Sequence, residues 1–299
     1  MLNNKFIMDS RLYIIGNGFD IHNGIDSRYS NFKDCVKNID NNLYIMLEKY
    51  FGYDALWADF EETLAYIDTD IVKEDAAKFL VSYGADNWSE AYHHSYEYEI
   101  KQALDLVIVK LRTHFTSWVL ELEIPDSPKA NIKTDSIFIN FNYTETLERA
   151  YGISSKKILY IHNKAINKDS VLILGHSREL NDEDSFSISN NEETDIRIAQ
   201  GNELIDNYYR ETYKDTETII NENLSFFNML GNISEVLVLG HSISFVDIKY
   251  FQLIRNRVKK DATWIVSYYH STEKEEKLKK MLRLGVDPSK IILKTINEL

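Results

Sequence analysis

A Rossmann-like α/β fold, a mostly parallel sheet flanked by helices, is predicted by three observations. Strand candidates that are apolar on both faces alternate with helical segments through the second half of the chain. The first candidate, Arg11 to Ile15, runs directly into Gly16-Asn17-Gly18. Between it and the second lie about a hundred residues of mainly helical periodicity, where a crossover needs about a dozen. This predicts a large helical insertion after the first strand. The expected domains are therefore a nucleotide-binding domain, residues 11–24 and 131–299, and a helical insertion subdomain, residues 25–130.

The elements follow in order. Tyr29 to Phe51 carries Phe32, Cys35, Val36, Ile39, Leu43, Met46 and Leu47 at helical spacing. In Leu56 to Ile67, the residues Trp57, Phe60, Leu64 and Ile67 form one stripe, with Glu61 and Glu62 beside or opposite it. A long helix is expected from Ser89, a suitable N-cap, to Leu122, ended by Pro125 and Pro128. Strands are expected over Ser136–Asn140, Ile158–His162, Val171–Leu174, Glu235–Leu239 and Thr263–Tyr268. Asn181 to Glu193 is polar and aperiodic and reads as a loop or lid. Ile198 to Leu230 reads as helical.

Composition narrows the function classes. The 299 residues are 44% hydrophobic and 27% charged, with only three prolines, which suits a sizeable core and long helices. The net charge of −13 repels nucleic acid unless basic residues are gathered into a patch. The short clusters Lys156-Lys157, Lys259-Lys260 and Lys277 to Arg283 have acids close by and read as solvated helix ends. The single cysteine, Cys35, excludes disulfides within the chain and a Cys-x-x-Cys zinc ribbon. No apolar run reaches the roughly 18 residues of a membrane span, and the N-terminus lacks the regions of a signal peptide. A cytoplasmic protein is expected.

Small polar clusters stand at the ends of the expected strands. Gly16-Asn17-Gly18-Phe19-Asp20 reads either as a phosphate-approaching turn or as a plain strand-to-helix turn. It matches neither G-x-G-x-x-G nor a Walker loop, since Ile21 stands at the third glycine position and no Gly-Lys-Ser/Thr follows. Asn140, Asn142 and Thr144 either meet ribose hydroxyls or cap the next helix. His162 is a general base or a structural hydrogen-bonder. Gly175-His176-Ser177 and Gly240-His241-Ser242 repeat one theme, each after an apolar run. Ser244 and Asp247 either join the second of these or cap the helix that follows.

Other constellations are weaker. His93-His94 with Glu90 and Glu97 reads as a surface or interface helix rather than a metal site. Gly240-His241-Ser242-Ile243-Ser244 lacks the second glycine of a serine-hydrolase elbow.

The order of motifs carries a resemblance. Ile14-Ile15-Gly16-Asn17-Gly18-Phe19-Asp20-Ile21-His22-Asn23-Gly24 comes first, followed by Tyr29-Ser30-Asn31-Phe32 and Leu56-Trp57-Ala58-Asp59-Phe60-Glu61. Phe141-Asn142-Tyr143-Thr144, Tyr160-Ile161-His162 and Gly240-His241-Ser242-Ile243-Ser244-Phe245-Val246-Asp247 complete the series. Together they resemble the AbiH family of bacterial abortive-infection proteins, which defend against phage, from about residue 11 to 280. A more distant similarity is to sirtuin-like NAD-binding domains.

That similarity implies NAD as substrate or ligand, with no cofactor required. Gly16, Asn17, Gly18, Phe19, Thr144, Gly240, His241, Ser242 and Asp247 would line the ligand. Asn142 would bind the nicotinamide ribose, Ser242 the adenosine ribose, and His162 would be the base. Asp20 would stabilise positive charge or orient water, completing a catalytic set of Asn142, His162 and Asp20. Three departures stand out: Asp20 replaces a serine, Thr144 an aspartate, and Asn163 the glycine after histidine.

The function expected from this resemblance is an anti-phage effector that hydrolyses the N-glycosidic bond of NAD or a related nucleotide. The alternatives are a non-catalytic nucleotide-sensing module and a nuclease effector. Expected partners are the nucleotide, with a phage-derived trigger or further copies of the chain. Neither a membrane nor nucleic acid is expected.

Overall fold

The computed structural model describes residues 10–53 and 55–299. The described residues divide into two compact units, residues 10–28 with Val119–Ile173 and Asp215–Leu299, and Tyr29–Trp118 with Leu174–Lys214. The second thus takes in residues 174–214 as well as most of the stretch expected as an insertion.

The first unit is built on one six-stranded sheet. Its strands are β1 (Arg11–Ile15), β2 (Ile137–Asn140), β3 (Ile158–Tyr160), β4 (Glu235–Leu239), β5 (Thr263–Tyr268) and β6 (Ile291–Thr295). All pairings are parallel and the order is β3-β2-β1-β4-β5-β6. The chain builds outward from β1 to β3, then returns to the other side of β1 to lay down β4. The β1/β4 border is therefore the topological switch point, where the loops leaving the carboxyl ends diverge and ligands bind in such sheets.

The near-continuous apolar character of the strands has a direct cause. Leu12, Ile14, Ile139, Val236, Val238, Trp264 and Val266 enter one core cluster, while Tyr13, Ile15, Phe138, Leu237 and Leu239 enter another. Successive residues point to opposite sides of a strand, so both faces of the sheet are buried.

Several expected boundaries are corrected. Val171–Leu174 is not a strand: Val171 is 79% exposed, and the run joins its neighbours through the bond from Ile173 N–H to His162 O (3.0 Å). The strand expected to reach His162 ends at Tyr160. The edge strand β6 was not foreseen.

The second unit is helical. Its first expected helix is two, Tyr29–Ile39 and Asn41–Phe51, because Asp40 accepts from Leu43 N–H (3.0 Å) and caps a new start. The long helix expected from Ser89 is also divided. A 3₁₀ turn covers Glu90–His93, the α-helix Ser95–Asp105 follows, and a π-turn at Leu106–Leu111 leads into Arg112–Glu121. Ser89 makes no side-chain cap. Phe32 packs edge-on or tilted against Trp57, Phe60, Phe115 and Trp118, with ring centroids 5.1–5.9 Å apart. Glu61 forms a buried ion pair with Lys214 (2.8 Å) and so serves this unit's packing.

Candidate functional site

Both glycines of the first turn are explained by a close approach of backbones. A Cβ on Gly16 would lie 2.5 Å from His241 Cα, and one on Gly18 would lie 2.8 Å from Gly240 Cα. Gly240 has φ 64°, and a Cβ there would stand 2.0 Å from Phe19 N. The β1 and β4 loops are thus pressed together at the switch point, and only glycine fits on either side. Gly16 N–H donates to Leu239 O (3.0 Å) and Gly18 N–H to Gly240 O (2.8 Å). These two amides are therefore already engaged within the protein.

Asp20 sits just behind this turn, 1% exposed. Thr144 donates its hydroxyl to Asp20 Oδ2 (2.6 Å) and lies 2.9 Å from the Thr146 hydroxyl. Asp20 Oδ1 is buried without a hydrogen-bond partner. Burial raises the Asp20 carboxyl to about 6, opposed first by the Thr144 hydrogen bond and then by the polar Thr146 and Asn142 side chains nearby.

Asp20 and Thr144, two of the positions singled out in the sequence, are thus bonded directly to each other. Asn163, in place of glycine, adopts φ 62°, a left-handed conformation that asparagine tolerates better than most residues.

Asn142 joins this cluster to the turn. Its N–H donates to Asn140 Oδ1 (3.0 Å), and its side-chain amide donates to Gly16 O (3.1 Å). The neighbouring Phe141 ring lies edge-on to both His162 (5.6 Å) and His241 (4.4 Å). Those two histidines flank one carboxylate: His162 Nε2 is 3.6 Å from Asp247 Oδ1, and His241 Nε2 is 3.5 Å from Asp247 Oδ2. His162, His241 and Asp247 are all at most 5% exposed. Ser244 donates to Asp247 Oδ2 (3.0 Å) and makes no helix-cap bond.

The structure thus brings together Gly16, Gly18, Asp20, Asn142, Thr144, His162, Gly240, His241 and Asp247 at the carboxyl ends of β1 to β4. Other expected residues stand apart. The Phe19 side chain is wholly buried in the core, tilted against Tyr151 (5.4 Å), so its ring serves packing rather than a ligand. Asn17 ties down the following loop, donating to Ser27 O (2.8 Å) and accepting from the Ser27 hydroxyl (2.6 Å). Ser242 is exposed, and its carbonyl accepts from Lys280 Nζ (3.1 Å). His176 is not at a sheet edge at all but lies in the helical unit, 3.0 Å from the Thr212 hydroxyl.

Two participants escaped sequence reasoning. Thr146 was legible as the second hydroxyl of Thr144-Glu145-Thr146. Lys277 was not, because only the fold brings its Nζ to His241 O. Burial lowers the Lys277 ammonium to about 8. Among the described residues, no group of three or more His, Cys, Asp or Glu side chains could hold a metal ion, and no helix is long and apolar enough to cross a membrane. His94 instead faces Glu97 (3.2 Å) on an exposed surface.

A parallel sheet of this order with a buried polar cluster at its switch point defines a Rossmann-like α/β protein. Within that class the chain belongs to the AbiH family, described as bacteriophage abortive infection AbiH, whose model matches residues 12–268. No curated protein and no solved structure is matched.

Proposed function

We propose that this AbiH protein is an abortive-infection effector that binds NAD or a related nucleotide at the switch point and hydrolyses its N-glycosidic bond. The observation that carries this reading is the Asp20–Thr144 pair. A carboxylate 1% exposed, with one oxygen held by a threonine and the other without a hydrogen-bond partner, is a costly thing to bury unless a ligand meets it. A ribose hydroxyl or an attacking water would supply the missing donor.

The chemistry follows from the residues gathered there. As the bond from C1′ to the pyridinium nitrogen breaks, its electron pair leaves with nicotinamide and positive charge grows on the ribose. Asp20 stabilises that charge, Asn142 positions the ribose, and water adds to C1′ while His162 accepts its proton. The phosphates would be met by donors other than the Gly16 and Gly18 amides, which are bonded within the protein.

Those engaged amides, together with the burial of His162 and His241, favour a second reading: a nucleotide sensor whose pocket opens without turnover. Calorimetry with NAD and ADP-ribose separates the two when run beside a nicotinamide-release assay. Binding that Asp20→Ala abolishes, accompanied by nicotinamide release, supports the hydrolase. Binding without release supports the sensor. No binding of either compound by an activated protein would contradict both.

A further inference from the structure

The proton positions in the His162–Asp247–His241 cluster can be read from its geometry. Ile243 N–H donates to His241 Nδ1 at 2.8 Å. A ring nitrogen that accepts carries no proton, so neutral His241 bears its proton on Nε2, the atom 3.5 Å from Asp247 Oδ2. The same oxygen receives the Ser244 hydroxyl. Oδ2 thus accepts from Ser244 and faces His241 Nε2, and Oδ1 is the oxygen turned to His162 Nε2, 3.6 Å away.

The backbone is strained to make this arrangement. Ile243 is β-branched and buried, yet adopts φ 54°. A left-handed conformation there costs on the order of 1–3 kcal/mol and persists where the surroundings enforce it, often at functional sites. Here it aims the Ile243 N–H at His241. The aromatic rings of Phe141 and Tyr143 pack on His162, and those of Phe141 and Phe251 on His241, so neither imidazole turns freely.

We infer that Asp247 is a positioning residue that holds His162 through Nε2–H, so that His162 presents Nδ1 as its proton-accepting nitrogen. His241, locked by Ile243, holds the carboxylate in turn. At 3.5–3.6 Å these contacts are longer than formed hydrogen bonds, and they would shorten when a ligand closes the site. When Nδ1 takes a proton, the positive charge on His162 is compensated by Asp247 without transfer of a second proton. Titratable groups packed against the pair include Tyr143, stacked on His162, and Lys277, bonded to His241 O. The consequence for catalysis rests on the hydrolase reading, whereas the tautomers do not.

The test is nitrogen-15 NMR of the histidine rings in the full chain, with His162→Gln and His241→Gln used for assignment. The expected result is Nε2–H on both neutral rings. In Asp247→Asn, His241 should keep its Nε2–H tautomer, held by the Ile243 N–H. An Nδ1–H tautomer at His162 in the wild-type protein overturns the inference, and this measurement stands even where Asp247→Asn fails to fold. Loss of the Nε2–H tautomer at His241 in folded Asp247→Asn also overturns it. The activity arm is separate: kcat for nicotinamide release should fall about 100-fold in Asp247→Asn with KM little changed. The expected NMR result in a protein without turnover would refute the hydrolase reading and leave the inference standing.

Discussion

The chain contains the tripeptide Gly-His-Ser twice, and the two copies live in different worlds. At Gly240-His241-Ser242 the histidine follows a central parallel strand, faces the Asp247 carboxylate and shares it with His162. At Gly175-His176-Ser177 the histidine meets a threonine hydroxyl in the helical unit, and its backbone pairs as a single parallel bridge with Tyr213. Burial, aided by Arg178, lowers the His176 imidazole to about 4, which keeps it neutral at physiological pH. The two glycines have the same job, close backbone approach, while the two histidines do not. A short motif fixes the shape of a loop, and the partners that the fold brings to it decide the chemistry.

The glycines should prove equally intolerant. A Cβ at Gly240 would meet Phe19 N at 2.0 Å, and one at Gly175 would meet Thr212 O at 1.9 Å. Both contacts are with backbone, which yields poorly. Gly240→Ala and Gly175→Ala should each cost about 3 kcal/mol or more, read from urea unfolding, with Gly240→Ala the worse because of its left-handed φ. A mild effect at either would show that the loops are not pressed together as described.

Titration offers a second way to separate the two regions. The folded-state carboxyl of Asp20 is raised from 3.8 to about 6, so the folded state keeps a proton that the unfolded chain has lost. Its presence lowers stability as pH rises through that window, by about 3 kcal/mol in full. The advantage of Asp20→Asn over wild type should therefore grow between pH 4 and 6 and level off above. His176 behaves oppositely. Its folded-state value is lowered, so the unfolded chain binds the proton first and stability falls as pH drops from 6.5 to about 4. His176→Gln should gain on wild type toward acid pH. Equal slopes for the two variants would contradict the assigned environments.

A smaller effect is expected at the surface beside the site. Lys280 donates to Ser242 O from a partly exposed position, so Lys280→Ala should cost less than about 1 kcal/mol. A loss several times larger would mean that the β4 loop depends on this lysine.

The sheet was largely legible because strands buried on both faces advertise themselves as unbroken apolar runs. The same signal misled at Val171–Leu174, an equally apolar run that buries Leu172 and Leu174 yet forms no strand. Edge strand β6 was missed for the converse reason: Ile291–Thr295 is only partly buried and includes Lys294, so it lacks the apolar run of an interior strand. The split of Tyr29–Phe51 was readable in principle, since Asp40 is a good N-cap, but unbroken periodicity across it hid the break. At the site, the strand-end positions of Asp20, Asn142, Thr144, His162 and His241 could be read from the order of motifs. Their pairing could not. Nothing local says that Asp20 meets Thr144, 124 residues away, or that one carboxylate serves two histidines.

The contrast between the two histidine environments leads to one decisive assay: nicotinamide release from NAD by activated wild-type protein, His162→Ala and His176→Ala, each checked for folding. If the switch-point cluster is a hydrolase centre, wild type releases nicotinamide, His162→Ala is slower by about 100-fold or more, and His176→Ala stays within a few-fold of wild type. Release that is unaffected by His162→Ala, or absent from wild type in every activated state, would contradict that assignment.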